Sequence, residues 1–439
     1  MFFLKVNLKS LYLVNEIGEE NSVINDWRFF DFSSIKNITI GYEPRFMFLY
    51  CVSSVEKECF LEFSNLENLC LKTNIIKIIN CNSFQHLNKL KELNLSENQI
   101  EKIDSNGFQG LDNLEELNLE RNNLIKIESN VFQYLSRLKK LDIGWNRVEE
   151  IQPNGFKGLE NLEELTLWRN RLTKIESNMF QHLNKLKKLQ FYDNQINQIE
   201  PNGFQGLENL EELNLQQNKL IEIKSNSFQH LKKLKNLCLY RNQISQIETN
   251  GFLDLENLNQ LYLHSNNLIK IDLNLSIKNL TSLKKLFLGN NQMEKIDSNE
   301  FQNLENLEEL NLENNRLFQI ESKLFHHLKK LKKLIFYKNK ISQIDLDGFQ
   351  GLDNLEELDL CKNSLINIRS NLFYNLKKLK ILDLKHNQIN QIESDGFQGL
   401  DNLEILYFEG NPLKKIELNL IKNIKKSNVV KYDLFFRNK

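Results

Sequence analysis

The stretch LKELNLSENQIEKIDSNGF at residues 90–108 recurs, with small changes, along most of the chain. Its central asparagine, Asn98, belongs to a series of fifteen, and thirteen of the fourteen intervals repeat the 24-residue spacing of Asn98 and Asn122. The exception is the 25-residue interval from Asn266 to Asn291. The series comprises Asn74, Asn98, Asn122, Asn146, Asn170, Asn194, Asn218, Asn242, Asn266, Asn291, Asn315, Asn339, Asn363, Asn387 and Asn411. A fixed period of this length predicts a solenoid, in which each repeat packs against its neighbours.

Each repeat carries the pattern of one short strand followed by a turn. Leu93 and Leu95 are two residues apart, so their side chains point to the same side of a strand. One strand per repeat leaves too little chain for a long helix in each return segment. We therefore predict a parallel sheet on one face and mostly irregular or extended returns on the other. The asparagine falls at the turn, where its amide offers both a donor and an acceptor, so the series predicts a ladder that satisfies buried backbone groups.

A second series consists of phenylalanines further along each repeat. Its members are Phe84, Phe108, Phe132, Phe156, Phe180, Phe204, Phe228, Phe252, Phe301, Phe325, Phe349, Phe373 and Phe397. We expect each ring to fill the far side of the core and to contact the next ring. The 25-residue repeat has Ser276 and Ile277 near this position instead. This departure predicts a local irregularity there.

The combined pattern resembles that of leucine-rich repeat proteins of the 24-residue, typical extracellular subfamily, which includes Toll-like receptor ectodomains and matrix proteoglycans. The resemblance implies an α/β fold, a horseshoe-shaped leucine-rich-repeat solenoid with a parallel concave β-sheet and largely irregular convex returns. About fifteen repeats plus one degenerate repeat occupy residues 45–428. We expect residues 1–44 to form a non-repeat N-terminal segment and cap, and residues 429–439 to form a C-terminal capping strand and tail. Members of this family bind protein, peptide or lipid ligands, often on the concave face.

The two ends of the repeat region carry candidate caps. Ile38 and Ile40 precede a Gly-Tyr-Glu-Pro turn at residues 41–44, and Phe46 and Phe48 follow it, which predicts a hairpin over the sheet edge. A degenerate repeat follows, with Tyr50, Val52, Val55 and Phe60 in the places of Asn98, Ile100, Ile103 and Phe108. At the other end, Val430, Tyr432 and Leu434 predict a last strand.

The repeats alternate in type, so the full period is a pair of repeats. At one register, lysine and glutamate alternate with Asn259 as the one exception: Lys91, Glu115, Lys139, Glu163, Lys187, Glu211, Lys235, Asn259, Lys284, Glu308, Lys332, Glu356, Lys380 and Glu404. Neighbouring strands lie about 4.8 Å apart, so we expect a glutamate on both sides of each lysine. Exposed pairs of this kind stabilise by a few tenths of a kcal/mol. We interpret the series as a solvated, register-fixing flank; a charge-striped docking edge is the alternative.

Residues beside the strand leucines are expected to face the concave side, and many of those in the middle of the chain are aromatic. The candidate ligand-binding residues are Trp145, Trp168, Arg169, Tyr192, Tyr240, Arg241, Tyr262, His264, Phe287 and Tyr337. Contiguous exposed aromatic surface is uncommon on a non-binding protein, and Trp, Tyr and Arg dominate binding hot spots. These residues predict a protein or peptide ligand on the concave face. The alternative is that aromatic residues are favoured in strands and nothing binds there.

Composition and motifs weigh against other classes of function. The net charge is −1, from 57 basic and 58 acidic residues, which indicates no nucleic-acid partner. No run approaches the roughly 18–20 apolar residues of a membrane span. His86, His182, His230 and His327 share a register but lie at least two repeats apart, so we expect no metal site. Since no phosphate-binding loop or nucleophile elbow is present, we expect neither a cofactor nor an enzymatic activity.

The cysteines and the N-terminus bear on the compartment. Cys59 and Cys81 fall in adjacent repeats and are candidates for a disulfide in an oxidising compartment. Cys238 and Cys361 are expected at outward strand positions, where exposed thiols favour the cytosol, and no cysteine follows Cys361 to form a C-terminal cysteine cap. The start, MFFLKVNLKSLYLV, is interrupted by polar residues and makes a poor signal peptide.

Two hypotheses follow from these observations. The first is a non-catalytic module that binds a protein or peptide on its concave face. By resemblance, its setting is extracellular or secreted, in adhesion, signalling or innate immunity, as a secreted protein or a receptor ectodomain. The alternative is a cytoplasmic scaffold or regulator that uses the same surface.

Overall fold

The structure is a computed structural model that describes residues 36–40, 52–55, 59–270 and 280–413, together with the backbone of the strands Lys5–Asn7, Ser10–Leu13 and Val430–Lys431. The chain forms two compact units. The first unit comprises Met1–Lys219 and Gln229–Lys232, and the second comprises Leu220–Phe228 and Lys233–Lys439. Both are built from the same repeat.

In the first unit, one short strand per repeat pairs in parallel with the strand of the next repeat. Equivalent residues lie side by side, as in the pairing of Leu117 with Leu141. The strands are Asn37–Ile40, Asn68–Cys70, Glu92–Asn94, Glu116–Asn118, Lys140–Asp142, Glu164–Thr166, Lys188–Gln190 and Glu212–Asn214. This is the predicted parallel sheet.

The second unit repeats the arrangement, again with parallel pairing, as between Leu261 and Leu286 across the longer interval. Its strands are Asn236–Cys238, Gln260–Tyr262, Lys285–Phe287, Glu309–Asn311, Lys333–Ile335, Glu357–Asp359, Ile381–Asp383, Ile405–Tyr407 and Val430–Lys431. The last of these agrees with the strand expected around Val430.

The returns consist of turns and two-residue strands that pair in parallel. In the first unit they are Ile78–Ile79, Lys102–Ile103, Lys126–Ile127, Glu150–Ile151, Lys174–Ile175 and Gln198–Ile199. In the second they are Glu222–Ile223, Gln246–Ile247, Gln319–Ile320, Gln343–Ile344, Asn367–Ile368 and Gln391–Ile392. The described parts of the chain contain no helix. The predicted solenoid is therefore confirmed, and where it is described it is built from strands and turns alone.

The core of each unit lies between the sheet and the returns. The strand leucines are almost completely buried, and so are the phenylalanines of the second series. Most neighbouring rings of the series stack, as Phe84 does on Phe108 with centroids 6.4 Å apart and Phe373 on Phe397 with centroids 6.3 Å apart. The predicted ring-to-ring contact is confirmed. It lets stacked repeats bury apolar surface that a single repeat would leave exposed.

The asparagine series forms the predicted ladder. The Asn122 side chain accepts a hydrogen bond from the backbone N–H of Ile100 at 2.9 Å. Its amide nitrogen donates to the carbonyl oxygens of Leu95 and Leu119, both at 3.0 Å. The same three contacts recur at Asn411, the last member of the series. Each asparagine thus joins its own turn to the preceding repeat and satisfies buried backbone groups.

The strand Asn37–Ile40 contains the two isoleucines of the predicted hairpin, but it lies inside the sheet. It pairs in parallel with Ser10–Leu13 on one side and with Asn68–Cys70 on the other. The antiparallel partner of Ser10–Leu13 is Lys5–Asn7. Phe46 and Phe48, the other half of the predicted hairpin, lie outside the described residues, and the division of the chain into caps and repeats stays a prediction.

The degenerate repeat behaves as predicted where it is described. Val52 and Val55 are buried, and the Val52 N–H donates to the Asn74 side chain at 2.8 Å. Phe60 stacks on Phe84 with centroids 6.4 Å apart. Tyr50 lies outside the described residues. This segment therefore adds one more layer to the core.

The predicted irregularity falls largely outside the described residues, since Ser276 and Ile277 belong to the omitted stretch 271–279. The neighbouring residues 294–296 are described and form no return strand. The return face is thus interrupted beside this repeat.

The charge series forms ion pairs with a single direction. Lys139 lies 2.7 Å from Glu115, Lys187 lies 2.8 Å from Glu163, and equivalent pairs join Lys91 to Glu67, Lys332 to Glu308 and Lys380 to Glu356. In each of these pairs the lysine bonds to the glutamate of the preceding repeat. The expected glutamates lie on both sides of lysines such as Lys187 and Lys332, whose charges interact with both neighbours. Each ammonium nevertheless forms its ion pair with only one of them. The contacts support the interpretation as a register-fixing flank.

Candidate functional site

The exposed face of each sheet carries the predicted ligand-binding residues. Along a strand, the first and third side chains point outward while the middle one is buried, as in the strand Glu164–Thr166. We call the outward strand residues, and the exposed residues that follow each strand before the ladder asparagine, the sheet face. Side chains from adjacent repeats stand about 4.8 Å apart there, which brings equivalent residues of successive repeats into contact.

The third strand residue stabilises the chain that follows it. The Asn118 side chain accepts a hydrogen bond from the Glu120 N–H at 2.8 Å, and Asp142 does the same for the Gly144 N–H at 2.8 Å. Asparagine and aspartate are therefore equivalent as hydrogen-bond acceptors at this position. They differ in charge, which matters because the Asp142 carboxyl is largely shielded from water.

A groove of about 520 Å³ lies on the sheet face of the first unit, and we call it the acidic groove. It is lined by the strands from Asn37–Ile40 to Glu164–Thr166 and contains the carboxylates of Glu92, Glu116, Asp142 and Glu164. Burial, followed by the charges of Glu120 and Glu164, raises the pKa of Asp142 to about 6, while the Gly144 N–H works in the opposite direction. Ionisation of Asp142 therefore costs free energy in the folded chain.

Beside the acidic groove lies the first cluster, which consists of Trp145, Trp168 and Tyr192. The Trp168 ring stacks on Tyr192 with centroids 5.3 Å apart and meets Trp145 edge-on at 5.7 Å. The Trp168 indole lies over Gly144, where a side chain would come within 2.6 Å of Trp168 Cδ1. Trp145 is 42% exposed, so this cluster offers aromatic surface to solvent.

Two arginines hold Trp145. The guanidinium carbons of Arg121 and Arg169 lie 4.6 Å and 4.3 Å from the centre of the Trp145 ring system. Arg169 also forms an ion pair with Asp193 at 2.8 Å, and Arg121 forms one with Glu97 at 3.2 Å. Cation–π contacts of this kind contribute roughly 0.5–1 kcal/mol at exposed sites. These contacts hold the Trp145 ring against its neighbours.

The second unit holds a separate group of rings, the second cluster, which consists of Tyr240, Tyr262, His264 and Phe287. His264 stacks on Tyr240 with centroids 4.3 Å apart, and Tyr262 stacks on Phe287 at 4.8 Å. Burial lowers the pKa of His264; the charge of Arg241 lowers it further and that of Glu313 raises it. His264 is thus a neutral ring at physiological pH.

Tyr337 stands apart from the second cluster. It follows Lys333–Ile335, two strands beyond Lys285–Phe287, and its hydroxyl accepts a hydrogen bond from Lys362 at 2.9 Å. In the first unit the predicted residues form the first cluster with Arg169. In the second unit they form the second cluster with Arg241 and, apart from it, the pair of Tyr337 with Lys362. Whether any of these groups binds a ligand stays a prediction.

Three contributors to the first cluster and its groove were missed from sequence. Gly144 is the small residue at a place that Trp168 and Tyr192 occupy in the next two repeats, and this contrast was an available signal. Arg121 carries no signal of its own, because its contact with Trp145 depends on the side-chain direction across two repeats. Asp142 has the same hydrogen-bonding role as Asn118, so only its burial in the folded chain distinguishes it from the other residues at this position.

The cysteine predictions require correction. Cys81 is an exposed free thiol whose sulfur lies 3.7 Å from Asp104 Oδ2, so the candidate disulfide between Cys59 and Cys81 is not formed in this structure. Cys361 is 5% exposed, whereas an exposed thiol was expected. Cys361 follows its strand, and its thiol lies among the carboxylates of Asp359 and Asp383, which cover it. Its thiol therefore gives no reason to favour the cytosol.

A cluster of ligand-type atoms also occurs in the second unit, although no metal site was expected. Asp359, Cys361 and Asp383 place one oxygen or sulfur atom each within 4.8 Å of one another. Lys385 supplies a positive charge to it, with its ammonium 3.4 Å from Asp383. Burial and the nearby carboxylates raise the pKa of Cys361 to about 11, which keeps the thiol protonated. The cluster therefore has an internal counter-charge and no additional feature that indicates an ion.

Several solved structures share this fold. A leucine-rich repeat protein of Leptospira interrogans is 24% identical, with a TM-score of 0.61 over 90% of this chain and 95% of its own. A chain of the Drosophila Toll–Spatzle complex is 22% identical, with a TM-score of 0.76 over 87% of this chain and 51% of its own. A chain of the glycosylated form of that complex is 18% identical, with a TM-score of 0.80 over 98% of this chain and 62% of its own. This chain thus spans less than two thirds of the Toll-complex chains, and the likeness concerns the fold.

Sequence comparison identifies the family directly. The profile described as "Leucine rich repeat" matches residues 160–220, 209–268, 275–317, 305–360 and 353–413. The profile described as "BspA type Leucine rich repeat region (6 copies)" matches residues 2–139 and 53–187. No curated protein sequence matches the chain. Among the described residues no helix is long and apolar enough to cross a membrane. Because the first profile alone covers more than half of the sequence, the chain belongs to the leucine-rich repeat family.

Proposed function

We propose that this leucine-rich repeat protein is a non-catalytic module that binds a protein or peptide ligand on the sheet face of its first unit. The observation that carries the proposal is the first cluster, in which Trp168 and Tyr192 present stacked rings and Trp145 is 42% exposed. Tryptophan, tyrosine and arginine are the residues that most often dominate the binding energy of interfaces. The expected hot spot is therefore Trp168, with Trp145 and Tyr192 beside it.

The order of this cluster supports the same role. Binding costs free energy when flexible side chains must be immobilised. Here Trp145 is held by Arg121 and Arg169, and Trp168 is held between Gly144 and Tyr192. A ligand would meet rings that are already positioned, so less of its binding energy would be lost to ordering.

The proposed setting is extracellular recognition, in adhesion, signalling or innate immunity. The Drosophila Toll–Spatzle complex gives a precedent for a protein ligand on a chain with this fold. A cytoplasmic scaffold that uses the same surface is the second candidate, and the exposed free thiol of Cys81 favours it because such thiols persist in reducing compartments. Mass spectrometry of the native protein without reduction separates the two, since oxidised cysteines would support secretion.

Site-specific photo-cross-linking tests the binding face. A benzophenone amino acid would be placed at Asn118 on the sheet face and, as the matched control, at Asn197 on the exposed side of the returns. We expect partner cross-links from the first position and not from the second. We also expect the double variant Trp168→Ala/Tyr192→Ala to lose them while Tyr374→Ala, an exposed tyrosine of the second unit, keeps them. Cross-linking from position 197 alone would refute the proposed face.

A further inference from the structure

We infer that the ligand of the first unit is a protein that presents a basic, extended segment to the acidic groove. This inference rests on the proposed function and specifies the chemistry of the partner. It is drawn from the charge, the length and the aromatic border of the groove.

The charges that line the groove are unbalanced. Four carboxylates, those of Glu92, Glu116, Asp142 and Glu164, face a single ammonium, that of Lys140. Lys140 is already engaged, because its Nζ lies 2.5 Å from Glu116 Oε1. The chain as a whole has a net charge of only −1, so the imbalance is local. A surface that concentrates one sign of charge attracts partners of the opposite sign and repels like charge. Phosphate-rich nucleic acid is therefore disfavoured here.

The dimensions fit a short peptide. The groove crosses six neighbouring strands, which at about 4.8 Å each span roughly 24 Å. An extended chain advances about 3.3 Å per residue, so about seven residues fit along it. Besides the carboxylates, the lining includes amide and hydroxyl side chains such as Asn94, Asn118 and Thr166, which can bond to a peptide backbone.

The border of the groove suits the same ligand. Trp168 follows Thr166 of the last lining strand and lies over Gly144, two residues beyond Asp142. Aromatic rings attract lysine and arginine side chains through cation–π contacts. A basic residue at this end of the segment would therefore meet the carboxylate of Asp142 on one side and the rings of Trp168 and Tyr192 on the other.

Three synthetic probes test the inference with the full chain. Each would be a fluorescently labelled twelve-residue peptide in which threonine alternates with lysine, with glutamine or with glutamate. We expect fluorescence anisotropy to detect binding of the lysine peptide, at least tenfold weaker binding of the glutamine peptide and none of the glutamate peptide. Affinity for the lysine peptide should fall several-fold between about 50 and 300 mM salt because salt screens exposed charges. Equal binding of the lysine and glutamine peptides would overturn the inference.

Matched variants locate the effect. Asp142→Asn/Glu164→Gln removes two groove charges, and its first change keeps the hydrogen bond to Gly144. Glu101→Gln/Glu150→Gln removes two exposed carboxylates on the return side of the same unit. We expect the first double variant to bind the lysine peptide about tenfold more weakly and the second to bind it like the original chain. An equal loss in both would refute a groove-specific site.

The inference and the proposed function can fail separately. Partner cross-links from position 118 that persist in Asp142→Asn/Glu164→Gln, with no preference for the lysine peptide, would leave the binding face standing and overturn the basic segment. Absence of cross-links from the sheet face would overturn the binding face itself. A charge reversal, Glu92→Lys/Glu164→Lys, adds a further check, since it should transfer preference from the lysine to the glutamate peptide.

Discussion

Trp168 occupies space that only a glycine at position 144 leaves free. A Cβ atom at this position would come within 2.6 Å of Trp168 Cδ1 and 2.7 Å of Trp168 Cε2. Trp168 stacks on Tyr192 and meets Trp145 edge-on, so the position of one indole ring orders the first cluster. A residue one repeat earlier therefore determines how the candidate binding surface is presented.

The variant Gly144→Ala should displace Trp168 while leaving the fold intact. We expect a reduced near-ultraviolet circular dichroism signal and a red-shifted tryptophan emission, because the ring would move toward water. The loss of stability should be about 1 kcal/mol or less, at the low end for overpacking, since the ring can swing outward. Gly289→Ala is the matched control: its Cβ would meet the flexible Glu313 side chain, and aromatic spectra should not change. Unaltered spectra in Gly144→Ala would contradict the packing argument.

The ladder asparagines should be far more sensitive than other asparagines of the chain. Asn170→Ala would leave the Val148 N–H without its partner, and the carbonyl oxygens of Ile143 and Leu167 would each lose a hydrogen bond. We expect a loss of roughly 2–4 kcal/mol in the free energy of unfolding, because buried polar groups would be unsatisfied. Urea denaturation would measure it. Asn197→Ala, at an exposed position, should change stability by less than about 0.5 kcal/mol, and similar losses for both would exclude the ladder as a main source of stability.

Ionisation of Asp142 should make stability depend on pH. Burial raises its pKa from an ordinary 3.8 to about 6. The folded state therefore binds this proton more tightly than the unfolded state. The contribution of Asp142 to the free energy of unfolding falls as pH rises from about 4 to 6. An asparagine at position 142 can still accept the hydrogen bond from the Gly144 N–H, because Asn118 accepts the equivalent bond from the Glu120 N–H one repeat earlier. The variant should match the original chain near pH 4 and exceed its stability at pH 7.5, by at most roughly 3 kcal/mol at about 1.4 kcal/mol per pKa unit.

Urea unfolding at the two pH values would test this expectation. The neighbouring charges that act on Asp142 are those of Glu120 and Glu164, which should be left unchanged. Glu150→Gln, an exposed carboxylate of the return strand, serves as the control and should gain no stability at pH 7.5. A variant Asp142→Asn that is less stable than the original chain at pH 7.5 would mean that the carboxylate has a stabilising partner.

The residue before each ladder asparagine offers a route to a more stable protein. It adopts a left-handed conformation in repeat after repeat, as at Arg121 with φ 55°, Trp145 with φ 50° and Lys338 with φ 58°. Non-glycine residues pay a steric penalty of roughly 1 kcal/mol in this region. Lys338→Gly should therefore raise the free energy of unfolding by a few tenths to about 1 kcal/mol. Lys340→Gly, two residues later and with a negative φ, should lower the free energy of unfolding. Thermal unfolding would compare the two variants, and a Lys338→Gly variant less stable than the original chain would contradict the steric penalty at this position.

The repeating framework could be predicted because it depends on local spacing. A leucine every second residue defines a strand face, and an asparagine at the same place in every repeat puts one amide beside each turn. Parallel pairing and the ladder therefore follow from the recurrence of one pattern, that of residues 90–108, at a fixed spacing. The stacked phenylalanines and the degenerate repeat with Val52 and Phe60 could be predicted in the same way. The helix-free returns agree with the short length available to each of them.

The candidate site was only half visible from sequence. Trp145, Trp168 and Tyr192 could be assigned to one face by their register, but their contact with one another depends on Gly144 and Arg121. The lysines of the charge series could be aligned with glutamates, yet the direction of each ion pair could not. Cys361 was placed outward by strand alternation, although it follows the strand and is buried.

Periodicity alone determined the solenoid, its parallel strands and the asparagine ladder, because these arise from backbone hydrogen bonds and burial that repeat identically in every turn of the chain. The tertiary structure decided which side chains meet across repeats: Trp168 over Gly144, Arg169 on Trp145, and Asp142 within a groove of carboxylates. Such contacts depend on the space that a residue one repeat away leaves free. That space is a property of packed neighbours and not of any one repeat.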